Sequence, residues 1–188
     1  MRRKGWLAAV LLLLSGAACS PGQQSQTPSP SGNSVAVLPC EDAIGSNPTP
    51  LAGKSTVFDR VALPTGRALQ ASADPSAEPV ARLFAKDGLQ IRRSVVFDLV
   101  VPDEWIGRLL IGWGSPARRT THLHVPGCQP NETLNPLRPT DDWIAYAGGY
   151  WVKDPACVDL SVHVGNAQQR VRIGVGAACP GQAAPPTH

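Results

Sequence analysis

Between Val158 and Val175 the chain repeats one pattern. Val158-Asp159-Leu160-Ser161-Val162-His163-Val164 alternates apolar and polar residues, and Gln169-Arg170-Val171-Arg172-Ile173-Gly174-Val175 alternates again after Gly165-Asn166-Ala167-Gln168. Two residues is the side-chain period of a β-strand. Val158, Leu160, Val162 and Val164 therefore share one face, and Val171, Ile173 and Val175 match them on the partner strand. The pattern predicts an antiparallel hairpin with one buried and one wet side.

The same reading extends the sheet content along the chain. Strands are expected at Thr56–Leu63, Val80–Ala85, Leu89–Arg92, Val95–Val101, Arg108–Trp113, Thr121–Val125, Trp143–Tyr146 and Tyr150–Val152. Lys86-Asp87-Gly88 carries the Asp-Gly signature of a tight hairpin turn between two of them. Asp103-Glu104-Trp105, after Pro102, can form one short helical turn. No segment shows helical periodicity over three turns. With 18 Gly and 19 Pro among 188 residues, short strands and turns are favoured over long helices. The expected fold is all-β, an antiparallel sandwich of Ig-like or jelly-roll-like topology with one or two disulfides, over residues 36–180. Residues 181–188 are expected to be a disordered tail.

The N-terminus dictates location. Arg2-Arg3-Lys4 is a positive start, Trp6 to Leu14 an apolar run, and Ser15-Gly16-Ala17-Ala18 a small-residue cleavage region, so residues 1–18 read as an export signal. The apolar stretch from Gly5 to Ala18 is about 14 residues, where a spanning helix takes roughly 20. Cys19 directly follows. LLLLSGAACS resembles the lipobox of bacterial lipoproteins, in which this Cys carries the lipid. Gly16 stands where a branched apolar residue is usual, and Gly16-Ala17-Ala18 also suits ordinary signal peptidase, which leaves a secreted protein. The uncharged tract SPGQQSQTPSPSGNS that follows behaves as a flexible tether to residue 35, which favours the anchor on the outer face of the cytoplasmic membrane.

Cysteine parity points the same way. Assigning Cys19 to lipid leaves Cys40, Cys128, Cys157 and Cys179, an even set suited to two disulfides in an oxidising compartment. Three connectivities are open. A Cys157–Cys179 bridge across the base of the terminal hairpin, with Cys40–Cys128, requires a bulge or twist at Gly174-Val175-Gly176, because the two cysteines otherwise fall on opposite faces. A four-thiolate zinc site needs close cysteine pairs, which the spacing lacks.

The stretches ALPTGRALQAS, RLFAKDGLQIRR, GWGSPARRTTHLHVPGC, AGGYWVKDPACVDL and QRVRIGVGAACPG resemble uncharacterised exported lipoproteins of high-GC Gram-positive bacteria. The resemblance implies an envelope location and a disulfide-containing β fold. It implies no activity and no functional residues.

Charge excludes one class of partner. Without Arg2, Arg3 and Lys4 the basic count falls from 17 to 14, against 14 acids. A neutral domain lacks the basic footprint of nucleic-acid binding.

Candidate sites are few. His122 and His124 in Thr121-His122-Leu123-His124-Val125 lie on one side of a strand and offer two ligands to Zn²⁺ or Cu²⁺, with His163 or an acid as a third. The plainer reading is two histidines facing water beside a core set by Leu123 and Val125. Gly112-Trp113-Gly114-Ser115-Pro116 is not a nucleophile elbow, since Pro116 removes a backbone N–H that arrangement needs. Asp141-Asp142 and Asp103-Glu104 are adjacent acids in loops, whose side chains point apart. Trp143, Tyr146, Tyr150 and Trp151 cluster around Gly148-Gly149 and can stack on a cell-wall glycan, or fill the core as large aromatics do in sandwiches. Arg92, Arg118, Arg119, Arg170 and Arg172 read as a solvated sheet face. The function expected is therefore a lipid-anchored, non-catalytic module that binds an envelope ligand or partner protein without a cofactor. The alternatives are a cell-wall-modifying enzyme and a metal-binding protein.

Overall fold

The computed structural model describes residues 35–76, 81–129 and 141–186. The expected signal, Cys19 and the tether up to residue 34 lie outside the described residues; residue 35, its expected last residue, opens the first strand. Among the described residues twelve strands follow in chain order: β1 Val35–Val37, β2 Gly45–Asn47, β3 Ser55–Val57, β4 Val61–Leu63, β5 Ser72–Ala73, β6 Leu83–Arg92, β7 Phe97–Val100, β8 Leu109–Trp113, β9 His122–Val125, β10 Trp143–Val152, β11 Ala156–Val164 and β12 Ala167–Val175. Asp103–Trp105 forms the single 3-10 turn expected there, and Cys40–Asp42 forms another.

The strands make two sheets packed face to face. One runs β1-β9-β7-β11-β12; the other runs β2-β10-β6-β4-β3, with β5 beside β6 and β8 beside β10. Pairing is antiparallel except for β1, which lies parallel to β9 with Val35 opposite His122. Between the sheets sit Leu89, Ile91, Phe97, Leu99, Leu109, Ile111, Tyr146, Tyr150, Leu160 and Ile173, all essentially without solvent exposure. The terminal hairpin is β11–β12, with Leu160 opposite Val171 and Val158 opposite Ile173. Its loop is shorter than expected: Val164 pairs Ala167, leaving Gly165-Asn166 alone to turn, with Gly165 at φ 55.

Two expected breaks are absent. Lys86-Asp87-Gly88 is not a turn; β6 runs straight through it, with Asp87 opposite Gly148. Trp143–Tyr146 and Tyr150–Val152 are likewise one strand, β10, with ten successive partners on β6. The glycines serve close approach rather than turning. A Cβ on Gly148 would lie 2.2 Å from Gly112 O, and one on Gly149 would lie 2.1 Å from Ala85 O. Conversely, the single strand expected at Thr56–Leu63 is a hairpin, β3–β4, closed by Phe58 (φ 51) and Asp59 (φ 53) and an Arg60 N–H donating to Val57 O at 2.9 Å.

Replacing Gly149 with Ala is expected to destabilise the domain by about 2 kcal/mol, since backbone rather than a flexible side chain occupies the Cβ position. Urea unfolding should show a lower midpoint at unchanged slope.

The cysteines pair as Cys40–Cys128 and Cys157–Cys179. The face conflict at the hairpin base is resolved after the strand ends. Cys157 lies opposite Gly174, the chain leaves β12 through Gly176 at φ 71, and residues 177–182 fold back over Gly174. The missing Gly174 side chain leaves that room: a Cβ there would sit 2.5 Å from Gln182 Oε1 and 2.7 Å from Ala177 O. This return also gives partners to residues 182 and 183, within the stretch expected as a tail. Ala183 O accepts from the Ala68 N–H at 2.9 Å and Ala183 N–H donates to Gly66 O at 3.2 Å, while the Gln182 side-chain Nε2 donates to Arg172 O at 3.2 Å.

Candidate functional site

The paired histidines lie on the outer face of the five-stranded sheet. Leu123 and Val125 point into the core and His122 and His124 away from it, as the alternation dictates. Asp98 on β7 lies opposite His124 on β9 and opposite His163 on β11, so one row crosses three strands. Asp98 Oδ1 takes both imidazoles, His122 Nε2 at 3.0 Å and His124 Nδ1 at 2.9 Å. Burial works to raise the Asp98 pKa, but hydrogen bonds from His124 and His122, and their charge, outweigh it and hold the carboxyl below its ordinary range.

Asp98 is thus the acid that lies beside the two histidines. One carboxylate oxygen engages one nitrogen of each ring, and among the described residues no three His, Cys, Asp or Glu side chains are grouped to hold a metal ion. A depressed carboxyl stabilises the fold above its unfolded pKa of about 4 and loses that contribution as pH falls through the folded value. Asp98→Asn is therefore expected to flatten the fall in urea midpoint below about pH 5, leaving the other carboxyls' share. An unchanged acid limb would remove Asp98 from it.

The four aromatics expected to stack on a glycan or fill the core are all buried. Tyr146 and Tyr150 face the core and are fully buried, while Trp143 and Trp151, on the other face of β10, are 3% and 6% exposed. Arg92 covers Trp143 at 5.3 Å from its ring centre. Trp151 lies against Phe84 (4.6 Å) and Arg119 (5.1 Å), and its Nε1 donates to Asp74 at 2.8 Å. Large rings with paired edges fill and cover a thin sheet here. Three of the five arginines have acid partners: Arg92 with Asp59 (2.8 Å), Arg119 with Asp74 (3.2 Å), and Arg170 with Glu104. Ser115-Pro116 forms a turn with a cis peptide between Gly114 and Ala117. Asp141 accepts from Ser46 at 2.7 Å.

Sequence reasoning missed the group with the strongest physical demand. Asp87, in the middle of β6, shares its face with Ala85, Leu89 and Ile91 and points between the sheets. Lys54, just before β3, donates to its Oδ1 at 2.5 Å, and both side chains are below 10% exposed. Asp87 Oδ2 and the Tyr150 hydroxyl, both buried, lack a hydrogen-bond partner among the described residues. Burial pushes the Asp87 carboxyl up, against the pull of Lys54 and of the Gly88 N–H; burial also drives the Tyr150 hydroxyl well above its ordinary value, with the Asp87 charge adding to it. Trp113 closes the site from β8, its Nε1 donating to Asp87 O at 2.9 Å.

The pair is not sealed. On its side away from β10, β6 meets β4 only at Gln90 and Ile91 and β5 only at Leu83 and Phe84. At the opening between these contacts lies a cavity of about 350 Å³, with Lys54 and Asp87 in its wall beside Arg67, Gln70, Pro64 and Leu69. The one available signal was Asp87 itself, an acid on the apolar parity of a strand, and the Asp-Gly turn motif concealed it.

No family model matches the chain, and no curated protein or solved structure matches it significantly. The two disulfides suit an oxidising, extracytoplasmic environment. Among the described residues no helix is long and apolar enough to cross a membrane.

Proposed function

We propose that the chain is a lipid-anchored protein of the cell envelope, carried by Cys19, whose sandwich is a non-catalytic module binding a small polar ligand in the cavity beside Lys54 and Asp87. The observation that carries the ligand site is the Lys54–Asp87 pair, desolvated yet contributing two of the residues that line an open cavity, with Asp87 Oδ2 buried and without a hydrogen-bond partner among the described residues. A desolvated acceptor costs about 1–3 kcal/mol unless a donor reaches it, and perturbed acids in clefts mark functional sites more often than chance. The non-catalytic reading rests on what accompanies it. The cavity wall holds one carboxylate, already paired to a lysine, with no second acid, histidine or nucleophilic hydroxyl or thiol among its lining residues. Acid–base hydrolysis of a glycan uses two carboxyl groups.

Two measurements on the full-length protein test the two halves. Cys19→Ala should move the protein from the membrane fraction to the medium; retention on the membrane would remove the lipid anchor. Thermal unfolding against envelope sugars, amino acids and anionic glycan fragments should give a shift equivalent to about 2.7 kcal/mol at 100 times Kd. That shift should vanish in a Lys54→Met, Asp87→Leu double variant. A shift retained by the double variant would place the ligand elsewhere.

A further inference from the structure

An unpaired sheet edge and a cavity meet at β1, away from Lys54 and Asp87. β1 is the last strand of its sheet and pairs with β9 alone. The Leu38 N–H donates to His124 O at 2.9 Å, and alternate residues of a strand turn their backbone groups to opposite sides. Ala36 therefore faces β9 together with Leu38, whereas the N–H and C=O of Val35 and Val37 point away from it. Among the described residues no backbone or side-chain partner reaches these four groups. Natural sheets shield such an edge with charges, prolines or bulges. β1 is instead Val-Ala-Val, with Val35 50% and Val37 56% exposed. The opposite edge of the same sheet is covered along its last turn: Leu69 bonds to Gly174 O and to the Gly176 N–H, and Gln182 Nε2 donates to Arg172 O.

Beside the free edge lies a cavity of about 380 Å³, which shares no lining residue with the one at Lys54 and Asp87. All of β1 lines it, with Leu123 on the core face of β9 and Trp113, Pro116 and Arg118 from β8 and the turn after it. Asp42 joins the wall where Gly114 has no side chain, since a Cβ there would lie 2.5 Å from Asp42 Oδ2. Neither Asp42 nor Arg118 forms an ion pair among the described residues. The lining thus carries one unmatched charge of each sign.

We propose that the free edge of β1 binds a short extended peptide as an added antiparallel strand, apolar at its central residue and bearing one acidic and one basic side chain. A peptide backbone offers donors and acceptors at the spacing that Val35 and Val37 present. The peptide residues opposite Val35 and Val37 turn their N–H and C=O to β1. The residue opposite Ala36 turns its side chain to the face of Ala36 and Leu123, where the cavity lies. The acid pairs with Arg118 and the base with Asp42, whereas a wholly anionic or cationic peptide leaves one of the two unmatched. This site is additional to the small-ligand cavity and does not rest on it.

Fluorescence anisotropy on the full-length, disulfide-bonded protein tests this with labelled, amidated heptapeptides Lys-Thr-Thr-X-Thr-Thr-Glu, where X is Ala, Val, Leu or Phe. Saturable binding of at least one is expected. N-methylation of either Thr beside X removes an N–H that faces β1 and should weaken binding about tenfold, one hydrogen bond being worth roughly that factor. N-methylation of X, whose N–H faces away, should change it little. Val37→Pro removes an outward N–H of β1 and no bond to β9, a position where edge strands tolerate Pro. It should weaken binding by a similar factor at an unchanged urea midpoint; if the midpoint falls, the N-methyl series on the parent protein decides. Arg118→Ala should weaken the Glu-ended peptide and leave a Gln-ended one unchanged. Absence of saturable binding by all four peptides at millimolar concentration would overturn the proposal, as would N-methyl effects that do not alternate along the peptide. A peptide-free protein that dimerises in sedimentation equilibrium and becomes monomeric on Val37→Pro would assign the edge to a second copy and overturn it as well.

Discussion

Replacing Lys54 with Met is expected to cost about 3 kcal/mol of unfolding free energy, and replacing Asp87 with Leu in the same chain should return most of it. The first change strands a carboxylate whose side chain is 6% exposed, on the core face of β6. Removing one partner of a buried ion pair typically costs 3–5 kcal/mol, because the other charge remains desolvated and unpaired. The lower end applies because the Lys54 and Asp87 side chains keep 9% and 6% of their surface exposed. The double variant removes both desolvated charges and places apolar atoms among Ala85, Leu89 and Tyr150, and such exchanges are often neutral or stabilising. A double-mutant cycle in urea should therefore show strong coupling. Nearly additive single effects would mean that the two charges do not depend on one another.

The same cycle has a pH signature with a fixed sign. The Asp87 carboxyl is raised in the folded chain, chiefly by burial. The folded state therefore holds its proton to higher pH than the unfolded state does, and falling pH relieves this group instead of penalising it. In Lys54→Met, which lacks the opposing charge, the deficit against the parent chain should shrink as pH falls towards the unfolded carboxylate value of about 4. Asp98 moves the opposite way, since its carboxyl is lowered and its contribution is lost on acidification. The two carboxylates thus make opposing demands on one acid limb, and the Asp98→Asn and Lys54→Met variants separate them.

Where the sequence was legible, the information was local. The β11–β12 hairpin follows from two period-two runs, because each apolar residue there meets an apolar partner in register. The all-β class followed from many such runs. The errors share one physical origin, which is that turn chemistry is permissive and not obligatory. Asp87-Gly88 could turn a hairpin, but ten continuous partners on β10 hold β6 extended, and Lys54 reaches Asp87 from 33 residues away. Phe58-Asp59 does turn a hairpin, with both residues at positive φ, although neither is Gly or Asn. A Phe in that region is costly on its own and is held there by the register of β3 against β4.

The candidate site was less legible than the fold. The alternation placed His122 and His124 on the outer face, but their shared partner Asp98 comes from β7, and only the sheet order β9-β7-β11 brings it between them and His163. The aromatics around Gly148-Gly149 could be read as platform or core. Burial decides for the core, with the glycines giving way to Trp113 and to the backbone of β8 and β6. Lys54 and Asp87 had no local signature at all. An acid on a core parity becomes meaningful only when a cation of opposite sign is seen to reach it.

Removing the Cys40–Cys128 bridge is expected to have the larger effect of the two disulfides. Replacing both cysteines with Ala should cost about 4 kcal/mol, against about 3 kcal/mol for Cys157 and Cys179, because the cost grows with the logarithm of the loop closed. The sequence separations are 88 and 22 residues. Topology sharpens the difference. Cys157 and Cys179 join segments that the β11–β12 ladder and the Leu69–Gly174 and Leu69–Gly176 backbone bonds already hold together. Cys40 follows β1, which is only three residues long and pairs at the edge of its sheet with β9 alone. Its bridge to Cys128, just beyond β9, is the covalent tie that keeps this edge closed, and Cys128 packs into the core with the Tyr146 hydroxyl 3.2 Å from its sulfur. Urea unfolding of the two double-Ala variants under oxidising conditions should rank them in this order. Hydrogen exchange should show early loss of protection at β1 and β9 in the Cys40/Cys128 variant, and near-parent protection there in the other. The reverse ranking would mean that loop entropy does not govern the stability of this sandwich, and that the return of residues 177–182 over β12 does.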